Sequence, residues 1–297
     1  MRKIIILSAL LVIPFLAFSQ FNRLRYNSNG NFKIVQITDV HYKPGVPASD
    51  TAIILIKEML KSEKPDIVVF TGDLAWDKPT KDCFDKVLEP VIKNKTLWTF
   101  VFGNHDDEHG WSRKQIMDYL ITKPYCLAQH GDKDLKGEGN YILELYESKP
   151  DSIDNIANLF YFFDSGSYKS KIPGVGWSYD WLDFEQVDWY RKQSKAYTKE
   201  NGGQPIPALA FFHIPLFEYA VMKADPKSII IGNKDEKECN GKLNTGMFAA
   251  MRLAGDVMGT FVGHDHNNDY IGEYYGIALA YGRYSGGNTV YNDLGLN

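Results

Sequence analysis

Five segments of the sequence run from apolar, β-type residues directly into a cluster of His, Asp or Asn. They are FKIVQITDVHY (32 to 42), DIVVFTGDLAWD (66 to 77), TLWTFVFGNHDDE (96 to 108), ALAFFHIPLFEY (208 to 219) and GTFVGHDHNND (259 to 269). The polar residues offer imidazoles, two carboxylates and one amide: Asp39, His41, Asp73, Asn104, His213, His264 and His266. These side chains form a donor set suited to Zn, Mn, Fe and similar divalent ions.

The number of these donors indicates more than one metal ion. Seven protein ligands are too many for one tetrahedral site, but they fit two adjacent ions that share a carboxylate. Paired ions about 3.5 to 4 Å apart are used for phosphoester displacement. Two divalent cations less two carboxylates leave a charge of about +2, which attracts a phosphate dianion.

The segments between these clusters predict the elements that position them. Residues 49 to 65, SDTAIILIKEMLKSEKP, have a Ser/Asp cap, periodic apolar residues and a Pro stop, as a helix does. A second helix is predicted from residue 183, where Asp183 and Gln186 have capping-box spacing. Such strand and helix alternation predicts parallel βαβ units in the first half. NYILELYE (140 to 147) and NLFYFFDSG (158 to 166) have no helix between them, which predicts antiparallel pairing and a mixed second sheet.

The ends of parallel strands meet at one edge of a sheet, so we expect the polar clusters to share one cleft. Gly72, Gly103 and Gly263 immediately precede Asp73, Asn104 and His264. Glycine at these positions lets the backbone turn sharply and approach a buried ligand closely.

The order DVH, GDL, GNHD, a later H and GHDH resembles the calcineurin-like metallophosphoesterase superfamily, over residues 30 to 285. The longer stretches GDLAWD, GNHDDE, HIPLFEY and GHDHNND look most like the branch of this superfamily that is related to purple acid phosphatases. The resemblance implies an α/β sandwich of two mixed β-sheets packed together and flanked by helices. It also implies that Asp39, His41 and His266 bind one metal, that Asn104, His213 and His264 bind the other, and that Asp73 bridges both. His105 matches a histidine that contacts phosphate and protonates the leaving group.

Two departures from purple acid phosphatases bear on the metals. Trp76 stands where those enzymes carry a tyrosine, three residues after the bridging aspartate, and they do not use the position of His41 for metal. A ferric ion bound by tyrosinate is therefore not expected, and the cofactors are predicted as two divalent ions, Mn, Zn or Fe. Asp106 is a candidate for orienting His105, a role that a residue from another loop could fill instead.

These features predict hydrolysis of a small phosphorylated substrate by a hydroxide held between the metals, with His105 assisting. A phosphomonoesterase is the first interpretation, a phosphodiesterase the alternative, and a non-catalytic exported binding protein of this fold the third. Polar residues that could line the mouth are Asp77, Glu218, Asn268, Asp269 and Arg283. Trp76 and Tyr219 are expected to be cleft wall or core.

The N-terminus predicts export. Arg2 and Lys3 precede a long apolar run, and Ala17 and Ser19 are small residues at the two positions that signal peptidase checks. We therefore expect a signal peptide over residues 1 to 19 and one domain over 20 to 297, in the periplasm or secreted. A membrane anchor is the rival interpretation, but the run is shorter than about 20 residues and Pro14 interrupts it.

Composition limits the partners. A net charge of −4 and a pI near 6.0 provide no basic field for a nucleic-acid backbone. The first cysteine is Cys83, so no lipid-anchored N-terminus is expected. Three cysteines permit at most one internal disulfide.

Overall fold

A computed structural model describes residues 23–148, 155–225 and 228–293, so the predicted signal peptide lies outside the described residues. The described strands are β1 Leu24–Arg25, β2 Ile34–Ile37, β3 Ile67–Phe70, β4 Leu97–Phe100, β5 Tyr141–Tyr146, β6 Ile156–Phe162, β7 Tyr168–Ile172, β8 Gly176–Tyr179, β9 Ala208–Phe211, β10 Ile230–Lys234, β11 Val257–Val262, β12 Asn268–Tyr274 and β13 Ile277–Tyr281. The described helices are α1 Pro47–Glu63, α2 Thr80–Lys93, α3 Arg113–Leu120, α4 Phe184–Glu200, α5 Phe217–Ala224 and α6 Met247–Ala254.

The smaller of the two main sheets contains β2, β3 and β4, which pair in parallel through the crossovers α1 and α2. All four residues of the central strand β3 are buried, as expected for a parallel strand covered on both faces. The βαβ prediction is confirmed here. Helix α1 begins earlier than predicted, at Pro47, because proline needs no N–H partner in the first turn. The Ser49 hydroxyl accepts a hydrogen bond from the Lys43 backbone N–H instead.

The larger sheet has eight strands in the order β1-β5-β6-β9-β11-β13-β12-β10. β5 and β6 pair antiparallel as predicted, whereas β6, β9, β11 and β13 run parallel to one another. The larger sheet is therefore mixed, while the smaller one is parallel throughout its described strands. This arrangement confirms the α/β class with two sheets and flanking helices.

The two main sheets pack face to face, and alternation along β6 shows how. Phe162 belongs to the core between the sheets, with Phe70 and Phe211. The neighbouring Tyr161 and Phe163 belong to a second core on the opposite face, where α4, α5 and α6 contribute buried residues. Each fully buried aromatic stabilises the fold by about 1.5–3 kcal/mol, so both faces of this sheet are rigidly held.

Three local features of the described chain can be compared with the sequence: a helix cap, the cysteines and the apolarity of the helices. Gln186 Oε1 accepts the Asp183 N–H at 2.7 Å, as the predicted capping box requires. Cys83, Cys126 and Cys239 are all free thiols. In the part of the chain that the structure describes, no helix combines the length and apolarity that a bilayer crossing requires.

Candidate metal centre

The seven predicted donors meet at the carboxyl edge of both main sheets. Loops after β2, β3 and β4 contribute Asp39, His41, Asp73 and Asn104, and loops after β9 and β11 contribute His213, His264 and His266. Each is at most 7% exposed. The chain therefore buries four ionisable or polar side chains from the edge of the smaller sheet against three from the edge of the larger sheet, which is costly unless they bind a ligand.

Asp39, His41 and His266 form one group whose ligand atoms lie within 4.8 Å of one another. His41 Nε2 and His266 Nε2 are 3.0 Å apart. Asp39 Oδ1 lies 3.8 Å from the first nitrogen and 3.5 Å from the second. His266 Nδ1 contacts the Tyr291 carbonyl at 2.9 Å, which fixes the ring so that Nε2 faces the group.

Asp73, His213 and His264 form the second group. His213 Nε2 lies 3.2 Å from Asp73 Oδ2, and its Nδ1 is held by the Thr71 carbonyl at 2.7 Å. Asn104 donates its amide N–H to Tyr168 Oη at 2.8 Å. The carbonyl oxygen of that amide is left without a hydrogen-bond partner.

Asp73 lies between the two groups. Its Oδ2 is 3.7 Å from His41 Nε2 in the first group and 3.2 Å from His213 Nε2 in the second. Its Oδ1 accepts the His105 backbone N–H at 2.8 Å. One carboxylate oxygen therefore faces nitrogens of both groups, as a shared ligand would.

The unpartnered atoms of the site and the surroundings of its two carboxylates both fit the binding of two divalent cations. Asn104 Oδ1, His213 Nε2 and His264 Nε2 are buried and make no hydrogen bond. A buried polar atom without a partner costs about 1–3 kcal/mol, so three such atoms in one site indicate that the site binds a ligand. Among the described residues, moreover, only imidazole nitrogens lie within ion-pair distance of Asp39 and Asp73.

The two histidines of the second group have pKa values shifted in opposite directions. Burial disfavours the charged form of His213, yet the Asp73 carboxylate outweighs it and raises the pKa of His213 to about 9. Burial and the neighbouring His213 lower the pKa of His264 to about 3. Burial opposes ionisation of Asp73, but His213 more than compensates and lowers the pKa of that carboxyl. A metal ion must displace the proton on His213, so binding is expected to release it.

The backbone at the site is strained. Asp39, His41, Asp73 and His264 have φ values of 54°, 45°, 54° and 84°, in the left-handed region that non-glycine residues avoid. Such conformations cost roughly 1–3 kcal/mol each and persist where the surroundings impose them. Here the Asp39 N–H donates to the Gly72 carbonyl and the His41 N–H to the Asp73 carbonyl, both at 3.0 Å.

Asp106 has a different role from the one predicted. Its carboxylate accepts backbone N–H groups from Gly103, Asp73 and Leu74 at 2.8 to 2.9 Å, and from Ala75 at 3.2 Å. The prediction that Asp106 orients His105 is therefore wrong, because those amides occupy its oxygens.

The contact predicted for Asp106 is made by Glu108. Glu108 Oε2 lies 2.7 Å from His105 Nδ1, within the same loop. Asp106 instead ties the loop after β4 to the loop after β3, and so holds Asn104 and Asp73 in register.

The glycines before the donors permit close approach, as predicted. A Cβ on Gly103 would lie 2.1 Å from Asp73 Oδ1. One on Gly263 would lie 1.9 Å from Thr38 Oγ1 and 2.5 Å from Asp39 Oδ2. No side chain fits at either position without moving a donor carboxylate.

A cleft of about 350 Å³ opens onto the donors. Its lining comprises Lys43, Asp73, Trp76, His105, Tyr179, His264, His266, Thr289, Val290 and Tyr291. Trp76 is a wall, as expected, and Tyr219 is core. The cleft lining includes none of the polar residues predicted at the mouth.

The predicted mouth residues are engaged elsewhere. Asp269 and Arg283 pair with each other at 2.9 Å, and Glu218 accepts a hydrogen bond from Asn244 at 2.8 Å. Asn268 is fully buried, and Asp77 accepts the N–H of the next residue at 2.7 Å. These residues lie next to the motifs in the sequence, but their side chains contact other residues and do not line the cleft.

The sequence did not indicate the segment that closes the cleft from the C-terminal side. Thr289 Oγ1 donates to the His41 carbonyl at 2.8 Å, and the Tyr291 ring stacks on His266 with centroids 4.4 Å apart. These contacts hold both histidines of the first group. Neither residue belongs to a motif, and both act partly through backbone atoms.

The fold and the paired donor groups define a dinuclear-type metallophosphatase scaffold, and comparison with known proteins gives the family. Residues 32–268 match the calcineurin-like phosphoesterase family, so the chain belongs to it.

Relatives from plants and yeast share most of this chain. Probable inactive purple acid phosphatase 29 of Arabidopsis thaliana is 34% identical over 305 residues, covering 93% of this chain and 77% of that protein. Phosphatase DCR2 of Saccharomyces cerevisiae is 32% identical, covering 84% of this chain and 46% of that protein. The prediction of a metallophosphoesterase related to purple acid phosphatases is confirmed.

A solved structure shows the same fold. The dimetal phosphatase from Danio rerio superposes with a TM-score of 0.57 at 16% identity, covering 84% of this chain and 86% of that one. At this identity the likeness concerns the fold alone.

Proposed function

We propose that this protein is an exported phosphomonoesterase with two divalent metal ions. The observation that carries the proposal is the pair of buried donor groups that meet at Asp73, with unpartnered ligand atoms beside the cleft. Asp39, His41 and His266 would hold one ion; Asn104, His213 and His264 would hold the other; Asp73 would contact both. Mn, Zn and Fe all suit these donors.

The metals would supply Lewis acidity and lower the pKa of a bound water, which is the chemistry that paired ions bring to phosphoester displacement. His105 lines the cleft, and Glu108 engages its Nδ1. Its Nε2 is therefore the nitrogen left to serve the substrate. As a water oxygen bonds to phosphorus and the ester P–O bond breaks, His105 donates a proton to the departing alkoxide. The products are inorganic phosphate and an alcohol.

The cleft favours a monoester dianion. Within the described chain, Lys43 is the one lysine or arginine of the lining, and Asp73 is its one carboxylate. Lys43 Nζ lies 3.2 Å from the Thr289 carbonyl and 5.6 Å from the centre of the Trp76 ring. Acidic residues at the mouth would have repelled a dianion, but they do not line the cleft.

Hydrolysis is favoured over mere binding because the donor set is complete. Loss of a ligand would be the mark of a chain that keeps this fold without turnover, whereas here the six histidine and aspartate donors form two groups, the Asn104 carbonyl oxygen is unpartnered, and His105 lines the cleft. That A. thaliana relatives are named probable inactive phosphatases makes direct assay necessary.

Export rests on the N-terminal pattern of Arg2, Lys3, an apolar run and the small residues Ala17 and Ser19. N-terminal sequencing of the protein recovered from the periplasm or medium should begin at Gln20. An intact Met1 on a chain retained in the cytoplasm would overturn this part of the proposal.

The activity is tested on residues 20–297 loaded with Mn or Zn, using 4-nitrophenyl phosphate and bis(4-nitrophenyl) phosphate. We expect faster hydrolysis of the monoester and loss of both activities in Asp73→Asn. His130→Ala is the matched control, because His130 contacts Glu138 away from the donors. A diester preference would make the protein a phosphodiesterase. Two bound ions without turnover of either ester would support the binding protein.

A further inference from the structure

The hairpin formed by β7 and β8 carries three aromatic rings on one face. Tyr168 pairs with Tyr179 across the ladder, and Trp177 lies two residues before Tyr179, so the pleat places all three together. The Trp177 ring is 6.0 Å from that of Tyr168 and 5.0 Å from that of Tyr179. Trp177 is 50% exposed.

This aromatic face is continuous with the candidate metal centre. Tyr168 Oη accepts the Asn104 amide N–H at 2.8 Å and lies 3.4 Å from His105 Nδ1. The Tyr179 ring meets His264 edge-on, with centroids 4.3 Å apart, and lines the cleft. The rings thus lead outward from the place where phosphate would sit.

The opposite face of the hairpin is fastened to the body of the protein. Lys169 Nζ lies 3.1 Å from Asp180 Oδ1 and 3.2 Å from Asp183 Oδ1. Ser178 Oγ accepts the Lys242 N–H at 2.9 Å. The hairpin pairs only with itself among the described strands, so these contacts, and not a sheet, hold the aromatic face toward the cleft.

The cleft is larger than a phosphate group alone would require. Its volume of about 350 Å³ falls in the range of sites that enclose a small organic ligand, roughly 300–1,000 Å³. A phosphate group at the donors leaves room toward Tyr179 for the rest of the ester, and Trp177 lies beyond Tyr179, outside the cleft lining. Exposed aromatic side chains beside such a space are suited to stack on a planar ring.

We propose that this hairpin is the leaving-group subsite, and that it selects phosphate monoesters whose alcohol carries a planar ring, such as a nucleobase or an aryl group. The inference rests on the proposed phosphomonoesterase activity. Tyr179 contacts the part of the alcohol nearest the phosphate, and Trp177 stacks on the ring beyond it.

The test compares esters that differ only in the ring. Adenosine 5′-monophosphate and ribose 5-phosphate release the same type of primary alcohol, with and without a base. 2-Naphthylmethyl phosphate and cyclohexylmethyl phosphate form the corresponding aryl pair. In the wild type we expect kcat/KM to be about tenfold higher for the planar member of each pair.

Trp177→Ala should reduce that ratio toward one, mainly through KM, and Trp177→Phe should retain most of it. Phe184→Ala is the matched control, because Phe184 is an exposed aromatic residue (70%) at the start of α4 and is not part of the β7–β8 hairpin. It should leave the ratio unchanged.

The outcomes separate this inference from the activity on which it rests. No hydrolysis of any of the four esters by the metal-loaded wild type would refute the phosphatase proposal itself. Hydrolysis with a ratio near one, or a ratio that Trp177→Ala leaves unchanged, would refute the subsite alone. A ratio above one only for the adenosine pair would identify the ring as a nucleobase, and only for the naphthyl pair as an aryl group.

Discussion

Gly263 lies between the end of β11 at Val262 and His264, and its replacement by alanine tests how closely the site is packed. The new Cβ would lie 1.9 Å from Thr38 Oγ1 and 2.5 Å from Asp39 Oδ2, whereas real Cβ contacts essentially never fall under 3.0 Å. The segment after β11 that carries Gly263 and the segment after β2 that carries Thr38 and Asp39 must therefore move apart by about 1 Å. Protein interiors are close-packed, and the nearest atoms belong to short side chains. That movement displaces the Asp39 carboxylate from His41 and His266.

The magnitude follows from the size of this displacement. Misplacing reactive groups by about 1 Å can cost about 10²-fold in rate, so kcat/KM should fall by that order. Overpacking a tight site also destabilises by about 1–3 kcal/mol, which in a domain of this size lowers Tm by roughly 2 to 6 °C.

The assay uses Gly259, a glycine within the preceding strand β11, as its control. A Cβ on Gly259 would be 3.4 Å from its nearest neighbour, Ala278 Cβ, which is an ordinary contact. For Gly263→Ala and Gly259→Ala we would measure kcat/KM on 4-nitrophenyl phosphate, metal ions per chain and Tm. Gly259→Ala should resemble the wild type in all three. Wild-type metal content and rate in Gly263→Ala, or equal losses in both variants, would refute the packing argument.

Three further predictions concern the donors and the acid. Elemental analysis should find two metal ions per chain; chelation should lower Tm and abolish hydrolysis that Mn or Zn restores, and full activity with one ion would contradict the dinuclear site. Asp73→Asn should lose metal from both positions while His41→Ala keeps one ion, so equal residual metal in the two variants would argue against a shared carboxylate. His105→Ala should keep both ions, but its kcat/KM should fall by about 10²- to 10⁴-fold on alkyl phosphates and by less on aryl phosphates. Glu108→Gln should show a smaller loss with the same pattern. A loss of metal in either variant would contradict an acid role for His105.

The donors could be found from the sequence because each stands at a strand end in a short motif. Strand periodicity located β3 and β4, and the convergence of parallel strands then implied that Asp73 and Asn104 meet. Neither step requires knowledge of side-chain directions, since the loop after a strand is confined to one sheet edge.

The groups that support the donors could not be found in that way. Asp106 binds four backbone amides, and Tyr291 holds His266 through a carbonyl. Backbone atoms have no sequence signature, so the local spacing of HDDE favoured a side-chain contact between Asp106 and His105 that does not exist. The β7–β8 hairpin did leave a signal, because SYKSKIPGVGWSY places a Pro-Gly turn between two short segments that both carry aromatic residues.

The division of the donors between the two ends of the chain sets when a metal can bind during synthesis. Asp39, His41, Asp73 and Asn104 leave the ribosome first, and they include a single imidazole. The first group lacks His266 and the second lacks His213 and His264 until the last part of the chain is made, a delay on the order of ten seconds. Neither site can therefore select its ion before the fold is nearly finished. The ions available in the compartment where folding ends, more than intrinsic affinity, would then decide which metals the protein carries.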